Sequence, residues 1–144
     1  MGAHAGVRVP VPVEVSHGLE RLLGEPVAHV VVIEHSWFAR LHSRAHATTR
    51  RGHIYLSGDA AAFFANPWLL LHEYWHVIRQ WQPGTLTVRR YLLECVRRGY
   101  WNNRFEVEAR EFADAHAAAL HALLAAAAQG AKVAPLAPGT GADV

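Results

Sequence analysis

His72-Glu73-Tyr74-Trp75-His76 sets two imidazoles four residues apart with a carboxylate between them. On a helix, residues four apart leave the same face, so His72 and His76 can grip one metal ion. Glu73 lies one residue on from His72, where its carboxylate can reach a metal-bound water rather than the metal. The chemistry needs that division of labour. Neutral imidazoles bind zinc, zinc lowers the pKa of its water toward about 7, and a carboxylate takes the proton. The pattern predicts one Zn2+ per chain held by His72 and His76, with Glu73 as general base for hydrolysing a peptide bond. The 11 histidines of the chain point the same way, toward metal binding.

Such a site needs a third protein ligand. No third histidine follows at short range, because residues 77–84 read V-I-R-Q-W-Q-P-G. Three carboxylates further along compete: Glu106, Glu108 and Glu111. Helix geometry tests the reach. About 9 Å separates His76 from the turn at Pro83, and a helix returning from Thr85 to Arg98 covers about 20 Å. It overshoots the zinc by about 11 Å, and a third helix that reverses near Asn102 brings Glu106 within one or two turns of the metal. Glu106 shares a face with Ala109 and Ala113, small enough to let this helix approach the His72 helix closely. Glu106 is therefore favoured, with Glu108 and Glu111 as alternatives. His53 to Ser57 is a candidate strand for pairing with an extended substrate. Asp114 could orient a ligand histidine, and Tyr91 or Tyr100 could stabilise an oxyanion, although packing or surface roles are the simpler expectation for all three. His42, His46, His116 and His121 are expected at the surface. Trp68, Trp75, Trp81 and Trp101 are expected in the core.

The segment E-V-E-A-R-E-F-A, Glu106 to Ala113, resembles the E-x-x-A-x-x-F-A element of glutamate-zincins, including the anti-repressor peptidases. In that element the first Glu is a zinc ligand, which implies the role for Glu106. A wider resemblance covers residues 18–82. G-L-E-R-L-L-G-E-P-V-A-H-V-V-V, A-R-L-H-S-R-A-H-A-T-T, H-I-Y-L-S and L-L-L-H-E-Y-W-H-V-I-R-Q look like the zincin-like domain found beside bacterial contractile injection systems and in polymorphic toxins. That family usually reads H-E-[LA]-x-H-V-x-Q-Q. Here Arg79-Gln80 stands at the final pair, and Tyr74 takes a place that is commonly small or aliphatic. The resemblance implies a metal site and a minimal zincin-like metallopeptidase fold. The rival expectation is a non-catalytic zinc-stabilised scaffold or interaction domain of a secretion, injection or toxin system, although a purely structural site gains nothing from a general base at Glu73.

The elements that must position these residues follow from turn and cap signals. Residues 1–15, with alternating valines and prolines, predict an extended arm or edge strand. Ser16 is expected to cap a short helix ended by Gly24, and Val27 to Ile33 reads as a buried strand. Ser36 to Ala45 is weakly helical. Thr48–Arg50 and His53–Ser57 form a hairpin about Arg51-Gly52. Asn66 caps, and Pro67 opens, a helix to about Trp81, which Pro83-Gly84 stops. Thr85 caps a helix to Arg98. Asn102 or Asn103 caps a long one to Gln129, stopped by Gly130. The expected class is α+β, a small N-terminal β-sheet with helices followed by C-terminal helices. The organisation predicted is an arm at 1–15, a metallopeptidase domain at 16–129 and a disordered tail at 130–144.

Composition narrows the partners. A chain of 144 residues suits one domain, and 51% hydrophobic residues supply its core. A formal charge of +2 carries no nucleic-acid signature. Cys95, the single cysteine, excludes an internal disulfide and a cysteine-based zinc site, and is expected as a core thiol. No signal peptide and no run of about 20 apolar residues is visible. The expectation is a cytoplasmic protein, with non-classical export left open. Its partner would be a polypeptide substrate, with neither nucleic acid nor membrane.

Overall fold

The computed structural model describes residues 6–37, 39 and 47–133. The order is β1 (Val7–Val9), α1 (Val13–Leu23), β2 (Val31–Glu34), β3 (Ala47–Arg50), β4 (His53–Leu56), α2 (Ala60–Phe64) and α3 (Pro67–Trp75). The α3 helix runs on as a π-helical segment, His76–Trp81, followed by α4 (Val88–Arg98) and α5 (Arg104–Val133). The class is α+β, as expected.

The four strands form one sheet in the order β1-β2-β4-β3. β1 pairs antiparallel with β2, which places the arm at a sheet edge. β2 and β4 are parallel, with Val32 opposite Ile54. β3 and β4 form the expected hairpin, closing with Arg50 opposite His53. Arg51 and Gly52 both take positive φ, 37° and 80°, which gives the turn a twist matching that of the strands.

α3 starts as its sequence directs: the Asn66 side chain accepts from the Leu69 amide at 3.0 Å, and Pro67 supplies a φ already suited to a helix. Its apolar residues then enter one core. Leu70, Leu71, Tyr74 and Val77 meet Val15, Leu19 and Leu23 of α1, Val32 and Ile54 of the sheet, and Ala113 and Leu120 of α5. Each fully buried aliphatic side chain contributes about 1.5–3 kcal/mol. Gly18 of α1 permits close approach, since a Cβ there would lie 2.7 Å from Leu120 Cδ1.

Several boundaries differ from expectation. α1 begins at Val13 after Pro12, so Ser16 lies inside the helix and caps nothing, while Gly24 ends it at φ 73° as expected. The strand predicted over Val27–Ile33 is confined to Val31–Glu34. α2 was not foreseen. Thr87, not Thr85, caps α4, accepting from the Arg90 amide at 3.2 Å. α5 passes through Gly130 to Val133; Gly costs about 1 kcal/mol inside a helix, too little to end one without a capping turn. Trp101 is exposed rather than in the core, and Trp68, Trp75 and Trp81 are half-buried. Cys95 is also half-buried, receiving a hydrogen bond from Asn103 Nδ2 at 3.3 Å. Residues 40–46, with His42 and His46 and most of the predicted 36–45 helix, and tail residues 134–144 lie outside the described residues.

Candidate metal centre

α3 and α5 are the most extensively packed pair of elements, and the reason is small residues. Ala109 and Ala113 are fully buried. Glu106, one turn before Ala109, is thereby carried to the two imidazoles. His72 Nε2 lies 3.1 Å from Glu106 Oε2, His76 Nε2 lies 3.2 Å from His72 Nε2, and His76 Nε2 lies 3.5 Å from Glu106 Oε2. The structure thus brings together His72, His76 and Glu106, a buried group able to hold a metal ion. Of the competing carboxylates, Glu108 and Glu111 are exposed.

The triangle can be tested against coordination geometry. Ligands about 2.0–2.1 Å from a tetrahedral ion stand about 3.3 Å apart. The three edges fall around that value without adjustment. Hydrogen bonding then decides what the atoms are. Gln80, almost wholly buried, donates from Nε2 to the Phe105 carbonyl at 3.0 Å and to Glu108 Oε2 at 2.9 Å. Both partners only accept, so Gln80 Oε1 is the atom facing His76 Nδ1 at 2.6 Å. Nδ1 must then carry the proton, and in the neutral ring Nε2 presents a lone pair toward His72 and Glu106. Glu106 is held at its other oxygen, where the Tyr91 hydroxyl donates to Oε1 at 2.8 Å. His72 is placed by stacking on Trp68, with centroids 4.9 Å apart, and the Trp68 indole donates to Asp114 Oδ1 at 2.7 Å. In the neutral ring His76 Nε2 and the Glu106 carboxylate both face His72 Nε2 as acceptors, so either a proton on that nitrogen or a cation must lie among them.

Electrostatics follow from the same contacts. Burial works against the Glu106 carboxylate, but hydrogen bonds from His72 and His76 outweigh it and hold its pKa well below the ordinary 4.5. Burial also works against a charged His76, yet the hydrogen bond and charge of Glu106 outweigh that and raise its pKa above 6.5. A proton on His76 therefore competes with a metal for the same lone pair. Glu73 is buried beside the group without joining it, and burial raises its carboxyl above 4.5.

Other expectations fare differently. β4 is hydrogen-bonded on both sides, to β2 and to β3, so its backbone cannot take an added strand. Among the described residues the edge strands are β1 and β3, and β3 is packed against α3 and its π-helical continuation. The Tyr91 hydroxyl is engaged with Glu106 Oε1, and Tyr100 is exposed, its hydroxyl pushed up to about 12 by partial burial and the nearby Glu106 and Glu73 charges. Asp114 acts on Trp68 and touches no histidine directly. His116 is half-buried, bonded to the Phe112 carbonyl at 2.9 Å, while His121 is exposed as expected. Sequence reasoning missed Gln80 and Tyr91 as positioning residues. The i,i+4 relation of Gln80 to His76 was a signal for the first; nothing local signals the second.

A second cluster, Glu34, His35 and Asp59, was also missed; His35 Nε2 lies 2.8 Å from Asp59 Oδ1, and both residues are exposed. A cleft of about 360 Å³ opens away from the triad, between His29, Arg51, Val77, Trp81 and Leu86. No family model matches the chain, and no curated protein and no solved structure matches it either.

Proposed function

We propose that the chain is a zinc-dependent peptidase of minimal glutamate-zincin type. The observation that carries this reading is the ligand set itself. Two imidazole nitrogens and one carboxylate oxygen converge, and no fourth His, Cys, Asp or Glu joins them among the described residues. Structural zinc sites close all four positions with protein; catalytic ones keep one open. Zinc, when bound, polarises a carbonyl and lowers the pKa of a water toward about 7. The chain's own residues do the remainder. His72, His76 and Glu106 hold the ion, Gln80 keeps Nδ1 of His76 protonated, and Tyr91 keeps Glu106 turned inward. Glu73 takes a proton on its carboxylate and returns it to the leaving amine. An extended substrate would pair with the outer edge of β3 rather than with β4.

The alternative, a zinc-stabilised scaffold, is favoured by one observation: His72, His76 and Glu106 are only 7%, 4% and 6% exposed. Cleavage of an unstructured protein such as casein separates the two. Zinc-loaded wild type is expected to cleave it, and Glu73→Gln to keep metal and fold while losing at least about 10²–10⁴ in rate. Equal cleavage by both proteins removes Glu73 as base. Cleavage by neither, with a protein side chain in the fourth position, establishes the scaffold.

A further inference from the structure

α4 is built inside out. Its one buried residue is Glu94, and it is held to the molecule by polar contacts. Tyr91 donates to Glu106, Asn103 donates to the Tyr91 carbonyl and to Cys95, and Glu94 accepts from the Arg104 amide. Its apolar residues point outward instead. Leu92 is 58% and Val96 85% exposed, with Val88 and Leu93 nearly half exposed. Tyr100 and Trp101, just past the helix end, are exposed as well.

The same helix concentrates charge. Arg89, Arg90, Arg97 and Arg98 against Glu94 give 4 − 1 = +3, more than the formal +2 of the whole chain. At 100° per residue, Val88, Leu92, Val96 and Leu93 span about 140° of the helix surface, with Arg89 inside that arc and Arg97 just beyond it. A second copy of this chain is a poor occupant, because it would set these arginines against their own kind. An acidic protein would have to pair Arg89 within an apolar seam, where a buried ion pair gains little over its desolvation. A lipid interface has no such difficulty. Arginine stems lie along the apolar face while their heads reach lipid phosphates, and Trp and Tyr favour that depth.

We infer that α4 docks the protein flat on an anionic lipid bilayer, with Leu92, Leu93 and Val96 entering the headgroup boundary and Arg89 and Arg97 on lipid phosphates. No helix among the described residues is long and apolar enough to cross a membrane, so this is surface attachment. The absence of an apolar run long enough to span a bilayer says nothing of surface attachment, and the outward face of α4 is visible only in the fold. The inference is independent of the peptidase reading and is read without activity.

The test is co-sedimentation of the full chain with vesicles of phosphatidylcholine alone or mixed with phosphatidylglycerol. Binding is expected to the mixed vesicles only, and to vanish as ionic strength approaches about 1 M, where the screening length falls to about 3 Å. Leu92→Glu with Val96→Glu is expected to abolish it while zinc content and helical circular dichroism stay unchanged. Should that pair misfold, Arg89→Gln with Arg97→Gln decides, with about a fivefold loss per arginine. Absence of binding to mixed vesicles, equal binding to phosphatidylcholine, or undiminished binding by a folded variant overturns the inference. So does capture by immobilised polyglutamate without vesicle binding, which would make α4 a dock for acidic protein.

Discussion

Gln80→Leu removes the acceptor that fixes the His76 tautomer while leaving a side chain of similar size. Three bonds disappear: the one from His76 Nδ1 and the two donated to Phe105 and Glu108. Glu108 is exposed and rehydrates, so the main orphan is the buried Nδ1–H of His76. Leaving such a donor unpaired costs about 1–3 kcal/mol. The ring can escape by moving its proton to Nε2, the atom that should hold metal. Losing an outer partner of a metal-binding histidine typically costs 10–100-fold in metal affinity, about 1.4–2.7 kcal/mol. Gln80→Glu separates hydrogen bonding from packing. A carboxylate still accepts from Nδ1–H, and more strongly, so zinc affinity is retained or improved. Stability falls nonetheless, because the donations to Phe105 and Glu108 are lost and a second carboxylate faces Glu108. Zinc affinity is measured by competition with a fluorescent chelator, and the tautomer by long-range nitrogen–proton NMR of His76. A Gln80→Leu protein that binds zinc as tightly as wild type refutes the argument.

Two further perturbations read the core and the proton balance. The Tyr74 hydroxyl is fully buried without a partner among the described residues, so Tyr74→Phe is expected to be neutral or stabilising by up to about 1 kcal/mol; a loss beyond about 1 kcal/mol in chemical unfolding would reveal a partner. In metal-free protein, Glu106 is lowered in the fold, so its stabilisation is present above 4.5 and is lost as pH falls toward its folded value. His76 is raised, so its stabilisation is present below 6.5 and is lost as pH climbs through its folded value. The cluster therefore stabilises metal-free protein most between these two values. Zinc requires neutral imidazoles, so the rise in Tm on adding zinc should grow as pH increases above 6.5. A zinc-induced shift equal at mildly acidic and mildly alkaline pH would contradict this.

Much of the site is legible because it is local. The one-turn spacing of His72 and His76, the Asn66-Pro67 start and the Arg51-Gly52 turn are short-range features that backbone geometry enforces. Glu106 was reachable because Ala109 and Ala113 mark the face along which α5 can close on α3. The remainder depends on partners distant in sequence. Nothing near β4 says that β2 will flank it on the side away from β3, so its unsuitability for substrate pairing was hidden. The π-helical turn over His76–Trp81 is closed by a bond from Gln82 N to Val77 O, which apolar periodicity does not register. Tyr91 meets Glu106 only because α4 turns its polar side inward, against the usual rule for an amphipathic helix.

The account stands on one ion held by three side chains, and a crystal of zinc-soaked protein measured on either side of the zinc absorption edge tests it most directly. The prediction is a single strong anomalous peak per chain, about 2.0–2.2 Å from His72 Nε2, His76 Nε2 and Glu106 Oε2, with no protein atom in the fourth position. A peak elsewhere, no peak, or a fourth protein ligand at that peak would contradict it.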